Sequence, residues 1–339
     1  MTGLELVARI RSTLEAAAPA WCGPGACVVT LSGPQAHAWS FQFDLAVEAP
    51  AGGRRLVVKI PRWEAAPSLA AALAAGPQEG TRREHAALEA LAAAVAGCGD
   101  PGLAAVAPVA YVPEINAVVT ERLEAVPLRS RLGRWPGSEG RQAETLRRAG
   151  RALRLYHDSV AGVSEGAFDG EALAADLEGE AARLSAGSSP WPAALASLAR
   201  QARGFHGRPA RLGAAHGDFN LANVLVTGDG RVAILDPNLV PGSLLADPAK
   251  FLTDLRMRRS RVLTLGLVGN EGSAAAEAAF LEGYRPGDLS LLGFLRAAAS
   301  VRRAVEMEER LAAWPAALRV SATPLLRRYP AAESSRLGA

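Results

Sequence analysis

The sequence predicts an α+β chain in two lobes: a small antiparallel β-sheet lobe carrying one helix, then a larger and mostly helical lobe. Three observations predict it. Residues 27–60 are rich in β-branched and alternating apolar residues. From about residue 126 onward the apolar residues recur at helical spacing. A tight hairpin pattern, "VLVTGDGRVAIL", interrupts that helical region. The boundaries expected from these changes are 1–120 for the first lobe, 121–125 for a joint, and 126–339 for the second lobe.

Taken in order, the N-terminal "MTGLELVARIRSTLEAAAPAW" carries Glu5 and Arg9 inside its apolar pattern, which suits an amphipathic helix better than a secretory signal. "CVVTLSG", "WSFQFDLAVEA" and "RRLVVKIPR" read as strands, the last following a turn at Gly52 and Gly53. An Ala/Pro/Gly-rich loop is expected over 64–80, then a helix in "TRREHAALEALAAAV" ending near Gly97. "VAPVAYVP" and "NAVVTERL" supply two more strands, and "AETLRRAGRALRLYHDSV" begins a helical region reaching about residue 200. Helices are expected again from Pro248 to about Arg328, with a frayed tail beyond. No repeat of solenoid period is present.

Composition narrows the function classes. Of 339 residues, 49% are hydrophobic and 21% charged, as in ordinary globular proteins. No stretch approaches the roughly 18 apolar residues of a membrane span, so a cytoplasmic location is expected. The three cysteines, Cys22, Cys27 and Cys98, form no CxxC pair and are expected to be reduced and mostly buried, with no structural zinc. A net charge of +3 is too slight to argue for nucleic acid. Of the 37 basic residues only Lys59 and Lys250 are lysines. A coding preference for arginine accounts for most of that bias, yet the chain still places a compact ammonium at position 59.

The chemistry concentrates in "AAHGDFNLANVLVTGDGRVAILDPN", Ala214 to Asn238. The hairpin would bring Asn223, just before one strand, near Asp236, just after the other. A carboxylate and an amide oxygen then converge, and hard oxygen ligands of this kind suit magnesium, which takes its remaining ligands from water and phosphates. Asp218, on the preceding loop, is free to receive a proton from a substrate hydroxyl. Turn capping would explain any one of these residues alone. It does not explain H-x-D-x-x-x-x-N followed by a hairpin and a further aspartate.

That stretch resembles the aminoglycoside phosphotransferase and choline kinase group, small-molecule kinases with a protein-kinase-like fold. "VVKIPR", "REHAALEAL", "VVTERLEAVPL", "LRLYH", "DPAKFLTDL" and "AFLEGYR" are weaker landmarks in the same order. The resemblance implies ATP and Mg2+ as cofactors, Asp218 as the catalytic base, and Asn223 and Asp236 as metal ligands. It also implies adenine recognition by the backbone of Glu121 and Leu123 at the joint. The N-lobe helix bears on it independently. Leu88, Leu91 and Val95 mark its apolar face, and Glu84, four residues before Leu88, falls on that face. An inward glutamate needs a partner. Lys59 is the natural one, and the pair would hold the ammonium against ATP phosphates. A salt bridge from Glu84 to Arg82 or Arg83 at the helix edge is the competing reading. The phosphate loop matches poorly: "LSGPQAHAWSF" offers Gly33 alone.

Among the histidines, His216 is expected to support the catalytic loop through hydrogen bonds, His157 to be packed and satisfied, and His85 to face solvent. A kinase acting on protein is disfavoured, because only ten residues separate Asp236 from Asp247 and no A-P-E follows. A nucleotide-binding module without turnover has only the irregular phosphate loop in its favour. The expected partner is therefore a small hydroxylated acceptor, and the sequence does not give the oligomeric state. Acceptor charge carries two opposed signals. Residues 237–339 hold 14 basic against 10 acidic residues, with Arg256, Arg258 and Arg259 suited to an acidic or phosphorylated sugar. Residues 155–182 hold seven acids and no Arg or Lys, a wall that would suit an aminoglycoside or another amine. A sugar-like acceptor is favoured and an amine is the alternative.

Overall fold

The computed structural model describes residues 2–62, 66–132, 139–184, 190–258 and 273–311, and divides into two compact units, Met1–Ala125 and Val126–Ala339. The first unit opens with α1 (Gly3–Cys22), where Thr2 and Glu5 form a reciprocal capping box. Strands β1 (Cys27–Ala36), β2 (Ser40–Glu48) and β3 (Arg54–Pro61) follow, then α2 (Leu69–Ala74), α3 (Glu79–Cys98), β4 (Pro108–Val112) and β5 (Ala117–Glu121). They make one antiparallel sheet in the order β1-β2-β3-β5-β4.

Alternation decides which face of the sheet each side chain joins. Phe41, Phe43, Leu45 and Val47 of β2 stand opposite Ile60, Val58, Leu56 and Arg54 of β3. The apolar members of those pairs share one buried cluster with Leu6, Ile10, Leu14 and Ala18, the inward stripe of α1. Each large aliphatic residue taken fully from water there contributes about 1.5–3 kcal/mol. Lys59 is displaced by one residue from that set and registers with Val118, so it lies on the opposite face. The start of α3 is fixed by Asn116, whose Oδ1 accepts from the Gln78 amide at 3.0 Å and from the Tyr111 hydroxyl at 3.3 Å.

Five expectations for this unit need correction. The sheet carries more than one helix: α1, the amphipathic N-terminal helix the sequence predicts, covers one sheet face, and α2, which it does not predict, joins the same core through Leu69, Ala72 and Leu73. The loop expected over 64–80 therefore contains α2, capped by the Ser68 side chain, and the start of α3. Gly33 lies within β1, where the register slips between Ser32 and Gln35. An edge strand tolerates Pro34, which has no amide hydrogen to give. The cysteines are free but not mostly buried. Cys27 and Cys98 are exposed at element ends, and Cys22 is part-exposed, accepting from Arg54 Nη1 at 3.4 Å. His85 likewise does not face solvent: its side chain is 15% exposed and lies 3.5 Å from Glu89.

The second unit contains β6 (Ala125–Pro127, which begins at the boundary), α4 (Leu128–Arg131), α5 (Glu139–Ser159), β7 (Ser164–Ala167), α6 (Gly170–Leu184) and α7 (Trp191–Gly204). Next come β8 (Pro209–Ala215), β9 (Val224–Thr227), β10 (Val232–Ile234), β11 (Val240–Ser243), α8 (Ala246–Arg258), α9 (Ser273–Tyr284) and α10 (Leu289–Leu311). Two small sheets, β10-β9-β6 and β11-β8-β7, sit among these helices, so the region to residue 200 is not purely helical. Helices α5 and α9 meet through paired glycines. A Cβ on Gly150 would stand 2.2 Å from the Phe280 carbonyl oxygen, and one on Gly283 would stand 2.1 Å from that of Arg147. Only glycine permits so close an approach. The helical reading of residues 312–328 and the frayed tail lie outside the described residues. Among the described residues no helix is long and apolar enough to cross a membrane.

Candidate active site

In the first unit, Lys59 Nζ lies 2.8 Å from Glu84 Oε1, with side chains 17% and 9% exposed. Strand β3 delivers the lysine to the face that does not carry α1. Helix α3 turns Glu84 inward with Thr81, Ala87, Leu88 and Leu91. The exposed partner of Arg82 is Glu79. The Glu121 carboxylate pairs with Arg54, and its amide donates to the Ala107 carbonyl at 2.8 Å. That amide is thus committed within the sheet.

In the second unit, β9 and β10 form the hairpin. Val224 stands opposite Ile234 and Val226 opposite Val232, with the turn closed from Thr227 to Arg231. The Leu235 amide donates to the Asn223 carbonyl at 2.9 Å, carrying the ladder one step past the strands, so Asn223 and Asp236 emerge from the same end. Asp236 has φ 58°, a left-handed conformation rare for a residue with a side chain. Asn223 Nδ2 donates to the Asp218 carbonyl and to Asp218 Oδ2, each at 2.9 Å. With the nitrogen so occupied, Oδ1 is the atom that Asn223 can offer a cation. Asn220 braces the loop from within, accepting from the amides of Ala222 and Asn223 and donating to the Asp218 carbonyl.

The loop from His216 to Leu221 is held residue by residue by α8. Asp247 accepts from the amides of His216 at 2.6 Å and Gly217 at 2.8 Å. Lys250 Nζ donates to the Gly217 carbonyl at 3.1 Å and lies 2.7 Å from Asp218 Oδ1. Asp254 accepts from the Leu221 amide at 3.1 Å. These three positions are spaced i, i+3, i+7, one face of a helix. Beneath the loop, Phe219 is fully buried and packs on Phe251 of α8, which stacks on Phe280 of α9 at 4.3 Å between centroids. Gly217 has φ 78°, and a Cβ there would stand 2.4 Å from Val240, so the turn into Asp218 requires glycine.

A second layer fixes Asp247. His157 Nε2 donates to Asp247 Oδ2 at 2.9 Å, and its Nδ1 meets the Tyr284 hydroxyl at 3.1 Å, all three groups being buried. Burial alone would raise the Asp247 pKa. The His157 hydrogen bond and the Gly217 amide help to outweigh it and hold the carboxyl below its ordinary range. Desolvation pushes His216 the other way, below its usual value. Its Nε2 donates to the Leu235 carbonyl at 2.9 Å and its Nδ1 accepts from the Asp218 amide at 3.3 Å, the bonds of a neutral ring. His216 and His157 thus both have the packed, bonded roles expected of them.

The depressed His216 pKa has a sign that can be measured. A histidine neutral when folded, but free to protonate when unfolded, contributes stability that is complete above the unfolded value of 6.5 and is lost as the pH falls below it. Thermal midpoints are therefore expected to fall between pH 7.5 and 5.5. His216→Gln, which cannot protonate, should fall by less over the same interval. Parallel drops in both proteins would mean that His216 is charged in the fold.

The two charge signals read from the sequence resolve differently in the structure. Of the seven acids between 155 and 182, five are bonded to arginine: Asp158 to Arg154 and Arg211, Glu171 and Glu178 to Arg203, Asp176 and Glu180 to Arg302. They are neutralised helix faces and not an open acidic wall. Arg256 is 4% exposed and lies 3.6 Å from the buried Glu277, so it does not present itself to a ligand. The Arg258 side chain and Arg259 lie outside the described residues. Sequence reasoning missed Asp247, Lys250 and Asp254 as loop supports. The signal was present in "DPAKFLTDL", where three charges share one face of a helix whose other face is Phe251, Leu252 and Leu255.

Among the described residues no group of three or more His, Cys, Asp and Glu is placed to hold a metal ion. Asn223 and Asp236 would offer a cation two hard oxygen ligands, a set suited to an ion such as magnesium that takes its other ligands from water and phosphate.

The sequence profile of the phosphotransferase enzyme family matches residues 36–288 of the chain. Solved structures that it resembles include a choline/ethanolamine kinase family protein from Mesorhizobium loti, at 17% identity over 98% of each chain with a TM-score of 0.57. The amicoumacin kinase hAmiN, solved with AMP-PNP, Ca2+ and Ami, aligns at 11% identity over 98% of this chain and 96% of its own, TM-score 0.56. The macrolide 2'-phosphotransferase MphH from Brachybacterium faecium aligns at 18% identity over 93% and 97%, TM-score 0.51. No curated protein sequence matches the chain.

Proposed function

This chain belongs to the phosphotransferase enzyme family, and on that premise we propose that it transfers the γ-phosphate of ATP to a hydroxyl of a small molecule, with magnesium as the metal. Its fold is α+β and protein-kinase-like, as in the solved structures it resembles. The observation that carries the proposal is the double anchoring of Asp218: Asn223 Nδ2 on Oδ2 and Lys250 on Oδ1. A carboxylate aimed by two donors, on a loop pinned by α8, is what positioning a hydroxyl for attack requires. Asp218 would accept the hydroxyl proton, and Asn223 Oδ1 and Asp236 would hold the metal. Lys59, steadied by Glu84, would meet the phosphates. The adenine would rest on the Glu121 carbonyl and the Leu123 backbone, since the Glu121 amide is already bonded to Ala107. Magnesium supplies charge neutralisation on the phosphates, and the protein's part is orientation and electrostatics.

The test is ATP consumption with Mg2+ over a panel of hydroxylated metabolites, together with thermal shift by ATP and Mg2+. Lys59→Ala is expected to weaken nucleotide binding or turnover. Asp236→Ala is expected to abolish Mg2+-dependent turnover. Full activity in Asp236→Ala would remove it from the metal site. A thermal shift by ATP without turnover on any acceptor would favour a nucleotide-binding module.

A further inference from the structure

The chain has two lysines, and the second, Lys250, stands against the carboxylate proposed as the base. Its place is not adjustable. Asp247, one turn earlier on α8, is locked to two backbone amides and His157, so the helix cannot slide relative to the loop. The ammonium is 2.7 Å from Asp218 Oδ1 and 3.1 Å from the Gly217 carbonyl, and the two side chains remain 46% and 39% exposed. An ammonium has three donors. Two are accounted for by Asp218 and Gly217, which leaves one for a ligand approaching Asp218. An arginine, which the chain uses at almost every other basic position, would fill this space with a planar fork. Lysine leaves a compact point charge and room beside it.

We propose that Lys250 is a specificity-determining residue for the acceptor: its ammonium offsets the Asp218 carboxylate and keeps one N–H donor beside it, so the site takes hydroxyls from neutral or anionic molecules, sugars and sugar acids or phosphates, in preference to amine-bearing ones. The inference rests on the reading of Asp218 as the base. An amine brought in beside the reacting hydroxyl would meet an ammonium, whereas a carboxylate or phosphate would accept its third hydrogen bond. The acids that would offset this field from α5 and α6 are engaged with arginines. The choline/ethanolamine kinase family protein shares the fold at 17% identity, which does not transfer its named acceptor class to this chain.

The experiment uses the full chain with Mg2+ and ATP, and four acceptors built on one pyranose: the neutral sugar, its uronic acid, its 6-phosphate and its 2-amino derivative. Values of kcat and KM are measured for the wild type and for Lys250→Arg, Lys250→Met and Lys250→Glu. The wild type is expected to favour the neutral and anionic members over the amino sugar by roughly five- to tenfold. Lys250→Arg should retain the order, Lys250→Met should flatten it mainly through KM, and Lys250→Glu should invert it. A wild-type preference for the amino sugar overturns the proposal. So does a Lys250→Met that lowers kcat equally for every acceptor and leaves the order unchanged, which would make Lys250 a prop for Asp218 alone. Binding is read separately from the side-chain resonances of isotope-labelled lysine, where Lys250→Arg assigns one of only two signals. A shift of that signal with the uronic acid or the sugar phosphate, and not with the amino sugar, supports the proposal; no shift with any member overturns it. If the wild type and Asp218→Asn consume ATP alike with every acceptor, the kinase reading fails, and the lysine resonances still decide for or against Lys250.

Discussion

Asp218→Asn is expected to lower turnover by about 10²–10⁴-fold while nucleotide binding stays nearly intact. The substitution keeps the side chain's shape and its place beside Asn223, but it removes the proposed proton acceptor and the charge facing Lys250. Steady-state kinetics with a confirmed acceptor, alongside calorimetric titration of ATP with Mg2+, separates the two effects. A variant with wild-type turnover would show that Asp218 only braces the loop. Loss of ATP affinity in step with turnover would place it in the metal site instead.

Asp247→Ala is expected to have the largest effect on stability, about 3–5 kcal/mol, because it removes the carboxylate shared by three donors, two of them buried. The amides of His216 and Gly217 and the Nε2–H of His157 would all lose their partner. Denaturant unfolding measures the loss. Should the alanine variant fail to fold, Asp247→Asn keeps one acceptor oxygen and should fold with a smaller deficit. It should also show reduced kcat, because Gly217 leads directly into Asp218. A loss below about 1 kcal/mol for alanine would mean that water replaces the carboxylate.

Much of this arrangement was legible in the residues. The alternation in "WSFQFDLAVEA" is the alternation observed in β2, and "TGDG" closes the hairpin between β9 and β10. The inward turn of Glu84 followed from its spacing to Leu88, and its ion pair with Lys59 is present at 2.8 Å. The failures have physical causes. An alanine-rich run such as "LAAALA" carries too little periodic contrast to distinguish a short helix from a loop, and α2 was missed. Cysteine burial depends on where an element ends, which composition does not record. Counts of charge over a segment say nothing of partners: five of the seven acids between 155 and 182, and Arg256, proved to be engaged in ion pairs.

By itself the sequence determined the local chemistry: strands from period two, helices from the three-to-four spacing, and an H-x-D-x-x-x-x-N loop with a hairpin returning an aspartate beside its asparagine. Those features depend on contacts between residues near one another in the chain, and local spacing is sufficient to specify them. Only the tertiary structure decided that α8 grips the loop through Asp247, Lys250 and Asp254, and that His157 and Tyr284 lie behind Asp247. Those bonds join residues 30 or more positions apart. They follow from helix packing, down to the glycine contact between α5 and α9, and no linear pattern encodes which helix face meets which loop.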